Sequence, residues 1–259
     1  LLSHATGFHG HCMKPIADGL VSSHHVAALD HRGYGDAETV DPAGISWDQY
    51  GNDALAAAQN LSAQHNGEPI VGIGHSMGGA SLLMAAQRAP QLFRALFVFE
   101  PIVFPPVDET VERPVNPLAG GARKRRSTFD SYDDALANYS SKPPMSAFHA
   151  EAREQYVRHG FKKTANGVEL KCLPELEAVT YETGGSSGAW EQLGSIQTRT
   201  WVISGALAPF QPSAFAEAVS QQITSSTFVR WDEVGHFGPL ERPDLIVTYV
   251  ASVLATLSS

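Results

Sequence analysis

The feature that most constrains the fold of this chain is a ten-residue segment, residues 70–79. Its first four residues, 70–73, are apolar and glycine-containing and have the character of a buried strand. The next five, Gly74-His75-Ser76-Met77-Gly78, fit the Gly-x-Ser-x-Gly nucleophile elbow, a sharp turn that joins a strand to a helix. Glycines flank the serine because the backbone is crowded there and a Cβ would clash. The pattern predicts that Ser76 stands above a sheet as a nucleophile.

Three further segments resemble the α/β-hydrolase superfamily, and the resemblance covers nearly the whole chain. Asp30-His31-Arg32-Gly33-Tyr34-Gly35 is similar to the Asp-x-Arg-Gly-x-Gly turn that follows an early strand in that family. Gly235-His236-Phe237 resembles its histidine loop, and residues 1–7 resemble its His-Gly oxyanion strand and loop. Ala5 departs from the family, which has glycine at that position. The resemblance implies the serine-nucleophile branch with an inserted cap, similar to esterases and lactonases.

Strand-like and helix-like segments alternate, which is typical of an α/β fold with a mostly parallel central sheet and helices on both faces. Strands are predicted at residues 1–3, 26–29, 70–73, 95–99, 200–203 and 227–231. Helices are predicted at residues 12–22, 47–65, 77–88, 212–222 and 244–257.

The alternation breaks between Pro101 and Gln197, over a stretch longer than any ordinary loop. In the family, a cap is inserted at this point, after the strand that here ends at Glu100. We therefore expect a first core part at residues 1–102, a helical cap or lid at residues 103–194 and a second core part at residues 195–259.

The expected lid has several distinct parts. A proline-rich segment, residues 101–117, is followed by the basic run of residues 123–126, by helical patterns near 132–139 and 147–159, and by a glycine–serine loop at 184–188. The basic run could recognise an acidic substrate, but such runs more often pair with nearby carboxylates. We expect a lid core to take more than half of the large apolar residues and the remainder to face Ser76: Phe104, Phe129, Tyr132, Tyr139, Met145, Phe148, Tyr156, Phe161 and Trp190.

A serine nucleophile needs a base within hydrogen-bond reach, and the base needs an orienting acid. His236 follows a predicted strand and precedes the last helix, and Gly235 and Gly238 allow a tight loop that aims its ring inward. His236 is therefore the predicted base. His75, beside the nucleophile, is expected to be a packing residue of the elbow, and His4 is expected by resemblance to orient the oxyanion loop.

The acid is less obvious, because the family most often has an aspartate after the strand predicted at residues 200–203. Residues 204–209 contain no carboxylate. Some family members place a glutamate one strand earlier, and here Glu100 ends that strand, at the edge where open α/β sheets build their sites. We predict Glu100 as the acid, with Asp232 and Glu233 as rivals because they are close to His236 in sequence.

Two backbone N–H groups should stabilise the oxyanion. One belongs to Met77, the residue after the nucleophile. Matching the oxyanion loop of the family places the other at Thr6, with Gly7 or Phe8 as alternatives if Ala5 shifts the loop.

The bulk properties exclude several other classes of function. The chain has 259 residues and a net charge of −9, which argues against general nucleic-acid binding. No run approaches the ~20 apolar residues of a membrane span, and mean hydropathy is −0.14, so a soluble, cytoplasmic protein is favoured. The chain opens on Leu1 in mid-strand, so we expect an N-terminal segment to be absent from the numbering, which leaves targeting open. No metal or dinucleotide motif is present, so no cofactor is expected.

These observations favour a serine hydrolase that cleaves a small carboxylic ester or lactone through an acyl-enzyme. C–C bond hydrolysis, perhydrolysis or a lyase reaction on the same triad are alternatives within the enzyme class. A non-catalytic ligand-binding receptor on the same scaffold is an alternative from another class, because fold alone does not separate these functions. The oligomeric state stays open.

Overall fold

A computed structural model of the chain describes residues 1–106, 116–184 and 187–257. Residues 107–115 of the proline-rich segment and 185–186 of the glycine–serine loop lie outside the described residues, as do 258–259. Across the described ranges, no helix is both long and apolar enough to cross a lipid bilayer.

The described residues form nine strands, ten α-helices and six short 3-10 helices. The strands are β1 (Leu2–Ser3), β2 (Ala28–Leu29), β3 (Ile70–His75), β4 (Phe93–Phe99), β5 (Thr128–Phe129), β6 (Phe161–Thr164), β7 (Gly167–Leu170), β8 (Thr200–Ser204) and β9 (Ser226–Arg230). The α-helices are α1 (Lys14–Leu20), α2 (Trp47–Gln64), α3 (Met77–Arg88), α4 (Pro117–Arg123), α5 (Tyr132–Ser140), α6 (Ala150–Gly160), α7 (Pro174–Glu182), α8 (Ala216–Gln222), α9 (Gly238–Glu241) and α10 (Pro243–Leu257). Short 3-10 helices cover Gly10–Met13, Pro42–Gly44, Pro90–Leu92, Met145–Ala147, Trp190–Ser195 and Pro212–Ala214.

Six of the described strands form a parallel sheet in the order β2-β1-β3-β4-β8-β9. Val98 of β4 pairs with Gly74 of β3 on one side and with Val202 of β8 on the other. The carboxyl ends of these three strands therefore meet at one edge of the sheet, where a site can be assembled. The mostly parallel α/β sheet predicted from the sequence is confirmed.

Helices cover both faces of this sheet, as the alternation along β4 shows. Leu96 and Val98 pack in a cluster with α2, α3 and α8, whereas Phe97 and Phe99 pack in a second cluster with α1 and α10. Successive strand residues point to opposite faces, so both layers are buried against the sheet. Each fully buried side chain of this kind contributes ~1.5–3 kcal/mol to the free energy of unfolding. This packing is therefore the main source of stability of the fold.

Local signals explain where individual helices begin. Ser46 and Gln49 form a capping box at the start of α2, and the Ser46 N–H donates to Gln49 Oε1 at 3.1 Å. The helix predicted at residues 12–22 is divided, because Pro15 has no N–H and fits the first turn of a new helix. The 3-10 helix Gly10–Met13 therefore precedes α1.

The segment between β4 and β8 carries α4 to α7 and, in addition, a three-stranded antiparallel sheet in the order β5-β7-β6. The sequence predicts helices here but not this sheet. Residues Lys162, Lys163 and Thr164 of β6 are exposed, so the strand lacks the apolar alternation that would reveal it. We refer to residues 103–194, for which the sequence predicts a lid, as the lid segment.

Apolar side chains of the lid segment form a cluster with residues from the rest of the chain. This cluster contains Phe8 from the loop after β1 and Leu240 from α9, so it joins the lid segment to the sheet domain. It takes seven of the nine large residues singled out in the sequence: Phe129, Tyr132, Tyr139, Met145, Phe148, Tyr156 and Phe161.

Candidate active site

The turn between β3 and α3 has the geometry of a nucleophile elbow. Ser76 has φ 56° and ψ −116°, a backbone conformation that costs ~1–3 kcal/mol for a residue with a side chain. A Cβ on Gly74 would lie 2.7 Å from the Gly78 carbonyl oxygen, and one on Gly78 would lie 2.1 Å from the Ser3 carbonyl oxygen. Both contacts are with backbone, so the turn requires glycine on each side of Ser76.

Backbone hydrogen bonds fix the elbow to the end of β4. The Ser76 N–H donates to the Phe99 carbonyl at 2.9 Å, and the Ile102 N–H donates to the Ser76 carbonyl at 3.2 Å. The serine is therefore held rigidly beside the residue that follows Phe99, which is Glu100.

The structure brings the predicted nucleophile, base and acid together in one chain of hydrogen bonds. His236 lies on the loop between β9 and α9, and its Nε2 is 3.2 Å from Ser76 Oγ. Its Nδ1 donates to Glu100 Oε2 at 2.6 Å. The three side chains thus have the spacing of a catalytic triad, although they are separated by 24 and 136 positions along the chain.

Glu100 is fully buried, and both of its carboxylate oxygens are paired. Oε2 accepts from His236, and Oε1 accepts from the Gly205 N–H at 2.8 Å. Burying an unpaired carboxylate is expensive, so these two donors explain how the charge is tolerated. A Cβ on Gly205 would lie 2.5 Å from the Val234 carbonyl oxygen. The turn after β8 therefore supplies a backbone donor to Glu100, the predicted acid.

The rival acids lie elsewhere. Asp232 and Glu233 are exposed in the turn that follows β9. Among the described residues, the His236 ring makes hydrogen bonds with Ser76 and Glu100, and neither rival is a partner.

The predicted oxyanion donors border the nucleophile. Met77 is the first residue of α3, so its N–H has no partner within the helix. Thr6 lines the same cavity as Ser76 and His236. Of the alternatives, the Phe8 N–H already donates to the Ala5 carbonyl at 3.2 Å, which leaves Thr6 and Gly7 as candidates.

A buried histidine supports the loop that carries Thr6. His4 Nε2 accepts from the His31 N–H at 3.1 Å, while its Nδ1 donates to the Ala5 carbonyl at 2.8 Å. One nitrogen accepts and the other donates, so the ring is neutral. Burial, with a smaller contribution from His31, lowers the pKa of His4 to about 3.

His75 has a role that the sequence did not indicate. Its Nε2 donates to the His236 carbonyl at 2.7 Å, which fixes the backbone of the predicted base. Burial, and secondarily the neighbouring His236, hold the pKa of His75 well below its ordinary value, so the ring stays neutral. The only sequence signal was its place next to Ser76 in the elbow.

The sequence as a whole identifies the family of the chain. Residues 1–248 match the family model described as Alpha/beta hydrolase family. The chain belongs to the alpha/beta hydrolase family. Its relatives in that family are therefore the proper comparison for the site.

Monoglyceride lipase of Homo sapiens is 28% identical over 103 residues, which cover 39% of this chain and 34% of the lipase. The match thus spans about a third of the length of the curated relatives. Among solved structures, a peroxisomal alpha-beta-hydrolase from Saccharomyces cerevisiae has a TM-score of 0.82 at 17% identity, covering 100% of this chain and 77% of that one. An enol-lactonase from Burkholderia xenovorans LB400 has a TM-score of 0.67 at 20% identity, covering 98% and 90%. These likenesses show the alpha/beta hydrolase fold.

In this alpha/beta hydrolase, Ser76 and His236 open into a cavity of about 450 Å³. None of its described lining residues is Asp, Glu, Lys or Arg. Leu118 and Phe210 line it and are largely exposed. The remaining lining residues come from the core and the lid segment: Thr6, Trp47, Ile102, Phe104, Asn116, Pro117, Thr180, Tyr181, Gly184, Gln211 and Pro212.

Several polar lining groups are already bound to the protein. Thr180 Oγ1 donates to the Leu176 carbonyl at 2.8 Å and accepts from the hydroxyls of Tyr50 at 2.8 Å and Tyr34 at 3.1 Å. Trp47 Nε1 donates to the Thr180 carbonyl at 3.2 Å. With these atoms occupied, Thr180 and Trp47 present apolar surface to a ligand.

A second polar lining residue, Asn116, is occupied in the same way. Its Nδ2 donates to the Tyr181 carbonyl at 3.2 Å, and its Oδ1 accepts from the Leu118 N–H at 3.0 Å. The cavity therefore has an apolar wall on the side of the lid segment as well.

The basic run does not line the cavity. Arg123 pairs with Glu175 at 2.8 Å and with Glu182 at 2.5 Å, and Arg125 pairs with Glu177 at 2.7 Å. Arg123 and Arg125 are thus bound to carboxylates of the lid segment, whereas Arg126 Nε donates to the Thr128 carbonyl at 2.8 Å. Within the described ranges, no group of three or more His, Cys, Asp or Glu residues could hold a metal ion.

Proposed function

We propose that this protein is a serine hydrolase that cleaves a carboxylic ester or lactone through an acyl-enzyme intermediate. The observation that carries the proposal is the continuous chain of hydrogen bonds from Ser76 through His236 to Glu100. A serine hydroxyl becomes an effective nucleophile only when such a base lies within reach.

In this scheme Ser76 Oγ attacks the carbonyl carbon while His236 Nε2 takes its proton. The negative charge on the carbonyl oxygen is stabilised by the N–H groups of Met77 and Thr6. His236 then donates the proton to the leaving alcohol or to the ring oxygen of a lactone. Water then attacks the acyl-enzyme while His236 takes its proton. His236 returns a proton to Ser76 Oγ as the acid product leaves.

Glu100 acts throughout on the ring of His236. Its Oε2 accepts from Nδ1, which selects the tautomer that leaves Nε2 free to accept the serine proton. The negative charge also stabilises the imidazolium that forms. Because Gly205 holds the other oxygen, the carboxylate has little freedom to turn away.

The cavity favours a neutral, largely apolar substrate. Its described lining carries no formal charge apart from what His236 acquires during the reaction, and Thr180, Trp47 and Asn116 have their polar atoms engaged. We further propose that the lid segment, residues 103–194, acts as the roof of this pocket. It contributes Phe104, Leu118 and Tyr181 to the lining.

Hydrolysis of p-nitrophenyl esters from acetate to decanoate, together with a set of lactones, tests the proposal. Each methylene buried in the pocket adds up to ~0.8 kcal/mol, which is about fourfold in kcat/KM. We expect kcat/KM to rise from acetate until the cavity is full and all activity to depend on Ser76. A preference for short, charged acyl groups over butyrate contradicts the apolar pocket.

The same assay separates an enzyme from a receptor on this scaffold. A receptor would bind ligands without turnover, and Ser76→Ala would leave that binding unchanged. Turnover that is lost in Ser76→Ala supports the hydrolase.

A further inference from the structure

The lid segment contains one buried ion pair that has no part in the reaction scheme above. Arg125 follows α4, and Glu177 lies in α7. Arg125 Nη2 donates to Glu177 Oε1 at 2.7 Å, and its Nη1 donates to the Tyr156 hydroxyl at 3.0 Å. The Glu177 side chain is 3% exposed and that of Arg125 is 22% exposed, so the pair is shielded from water.

Stability alone does not account for this pair. Replacing a buried ion pair by apolar residues of similar volume is often neutral or stabilising, because charges lose their hydration on burial. Burial raises the pKa of Glu177, and the neighbouring Arg125 and a hydrogen bond with Tyr181 oppose that effect. Another arginine of the lid segment, Arg123, joins α4 to α7 through exposed carboxylates and avoids this cost.

The buried pair touches the loop that carries Thr6. A Cβ on Gly7 would lie 2.6 Å from Glu177 Oε1 and 3.5 Å from Arg125 Nη2, so the Gly7 backbone packs closely on the Glu177 carboxylate, with the Arg125 guanidinium beside it. Gly7 has φ +83°, a conformation that residues with side chains rarely adopt. Because Gly7 directly follows Thr6, this contact limits how far the backbone of Thr6, with its N–H, can shift.

We infer that Arg125 and Glu177 are positioning residues that hold the Thr6 N–H towards the oxyanion by acting through Gly7. This inference rests on the proposed function, and neither side chain touches the substrate. An oxyanion donor must lie within a narrow range of distances from the developing charge. A charge-assisted hydrogen bond fixes one geometry, whereas apolar packing would let the loop shift.

The decisive variant is the double substitution Arg125→Met with Glu177→Leu, which removes both charges and keeps the volume. We expect its thermal midpoint to match that of the wild type. Its kcat on p-nitrophenyl butyrate should fall ~10- to 100-fold, less than or equal to the loss on deleting a whole oxyanion donor. KM should stay within about twofold, because neither Arg125 nor Glu177 lines the substrate cavity.

A second readout separates positioning from general support of the fold. A trifluoromethyl ketone forms a tetrahedral adduct with the serine and places an oxyanion in the same hole. Its affinity should fall by the same factor as kcat/KM. Arg123→Met, which breaks the exposed pair in the same lid segment, is the matched control and should keep both kcat and ketone affinity.

If the double variant does not fold, Glu177→Gln, which is isosteric, is measured in the same way and should lose kcat with KM unchanged. A folded variant that keeps wild-type kcat and ketone affinity overturns the inference, as does an equal loss in Arg123→Met. A failure of the proposed function has a different signature. The wild-type protein would then show no hydrolysis that depends on Ser76, and this result would overturn both the proposed function and the inference about Arg125 and Glu177.

Discussion

Replacing Glu100 by glutamine is the sharpest perturbation of the triad that the structure offers. The side chain keeps its shape but loses its charge. In the wild type, Glu100 accepts two hydrogen bonds, from the Gly205 N–H at 2.8 Å and from His236 Nδ1 at 2.6 Å. An amide has one oxygen and one NH2 group, so it can accept only one of the two bonds. Either Gly205 loses its acceptor or His236 is driven to the tautomer that cannot take the serine proton.

The expected loss in kcat for Glu100→Gln is about 10⁴-fold, the size seen when the acid of such a triad is neutralised. This factor corresponds to ~5 kcal/mol of transition-state stabilisation. The assay is steady-state hydrolysis of p-nitrophenyl butyrate, with a thermal melt to verify folding. KM should change little, because Glu100 is buried behind His236 and does not line the substrate cavity.

Asp232→Asn is the matched control, because Asp232 is the exposed carboxylate near His236 in sequence. It should reduce kcat by less than about twofold, as expected of a surface change that removes no transition-state contact. If Asp232→Asn costs more activity than Glu100→Gln, the role of the acid belongs to Asp232 and the reasoning from the hydrogen bonds is wrong.

Three further expectations concern the buried histidines. Burial lowers the pKa of His9 to about 4 and that of His4 to about 3. Below pH ~6.5 the unfolded chain therefore takes up protons that the folded chain does not. The free energy of unfolding should fall by ~2 kcal/mol per histidine by pH 5. His9→Gln should make the loss between pH 7.5 and pH 5, measured by urea unfolding, ~2 kcal/mol smaller, and an identical loss in both proteins contradicts this. His75→Leu should destabilise the fold by ~1 kcal/mol or more by leaving the His236 carbonyl without its donor, and an unchanged urea midpoint argues against that contact.

Local patterns allowed much of the site to be predicted from the sequence. The elbow is encoded within a few residues, since Gly74 and Gly78 are each required by a backbone contact of the turn. Glu100 could be predicted because residues 204–209 lack a carboxylate and because parallel strands place their carboxyl ends together. In the structure, the Gly205 N–H donates to Glu100 Oε1, a contact for which the sequence had no signal.

Other features depend on contacts between distant segments and had no local signal. Thr180 of α7 meets Tyr34 and Tyr50, more than 100 positions earlier in the chain, and no periodicity marks such a network. The small sheet of the lid segment was missed for a different reason. Its strands are short and partly exposed, so pairing with neighbours rather than intrinsic preference decides their conformation.

The central claim is that Ser76 is the nucleophile, and covalent labelling tests it most directly. The protein is treated with a fluorophosphonate, digested and mapped by mass spectrometry, in parallel with Ser76→Ala. We predict one adduct, on Ser76, that is absent from the folded variant together with all ester hydrolysis. An adduct on another serine, or hydrolysis at the wild-type rate in Ser76→Ala, contradicts the claim.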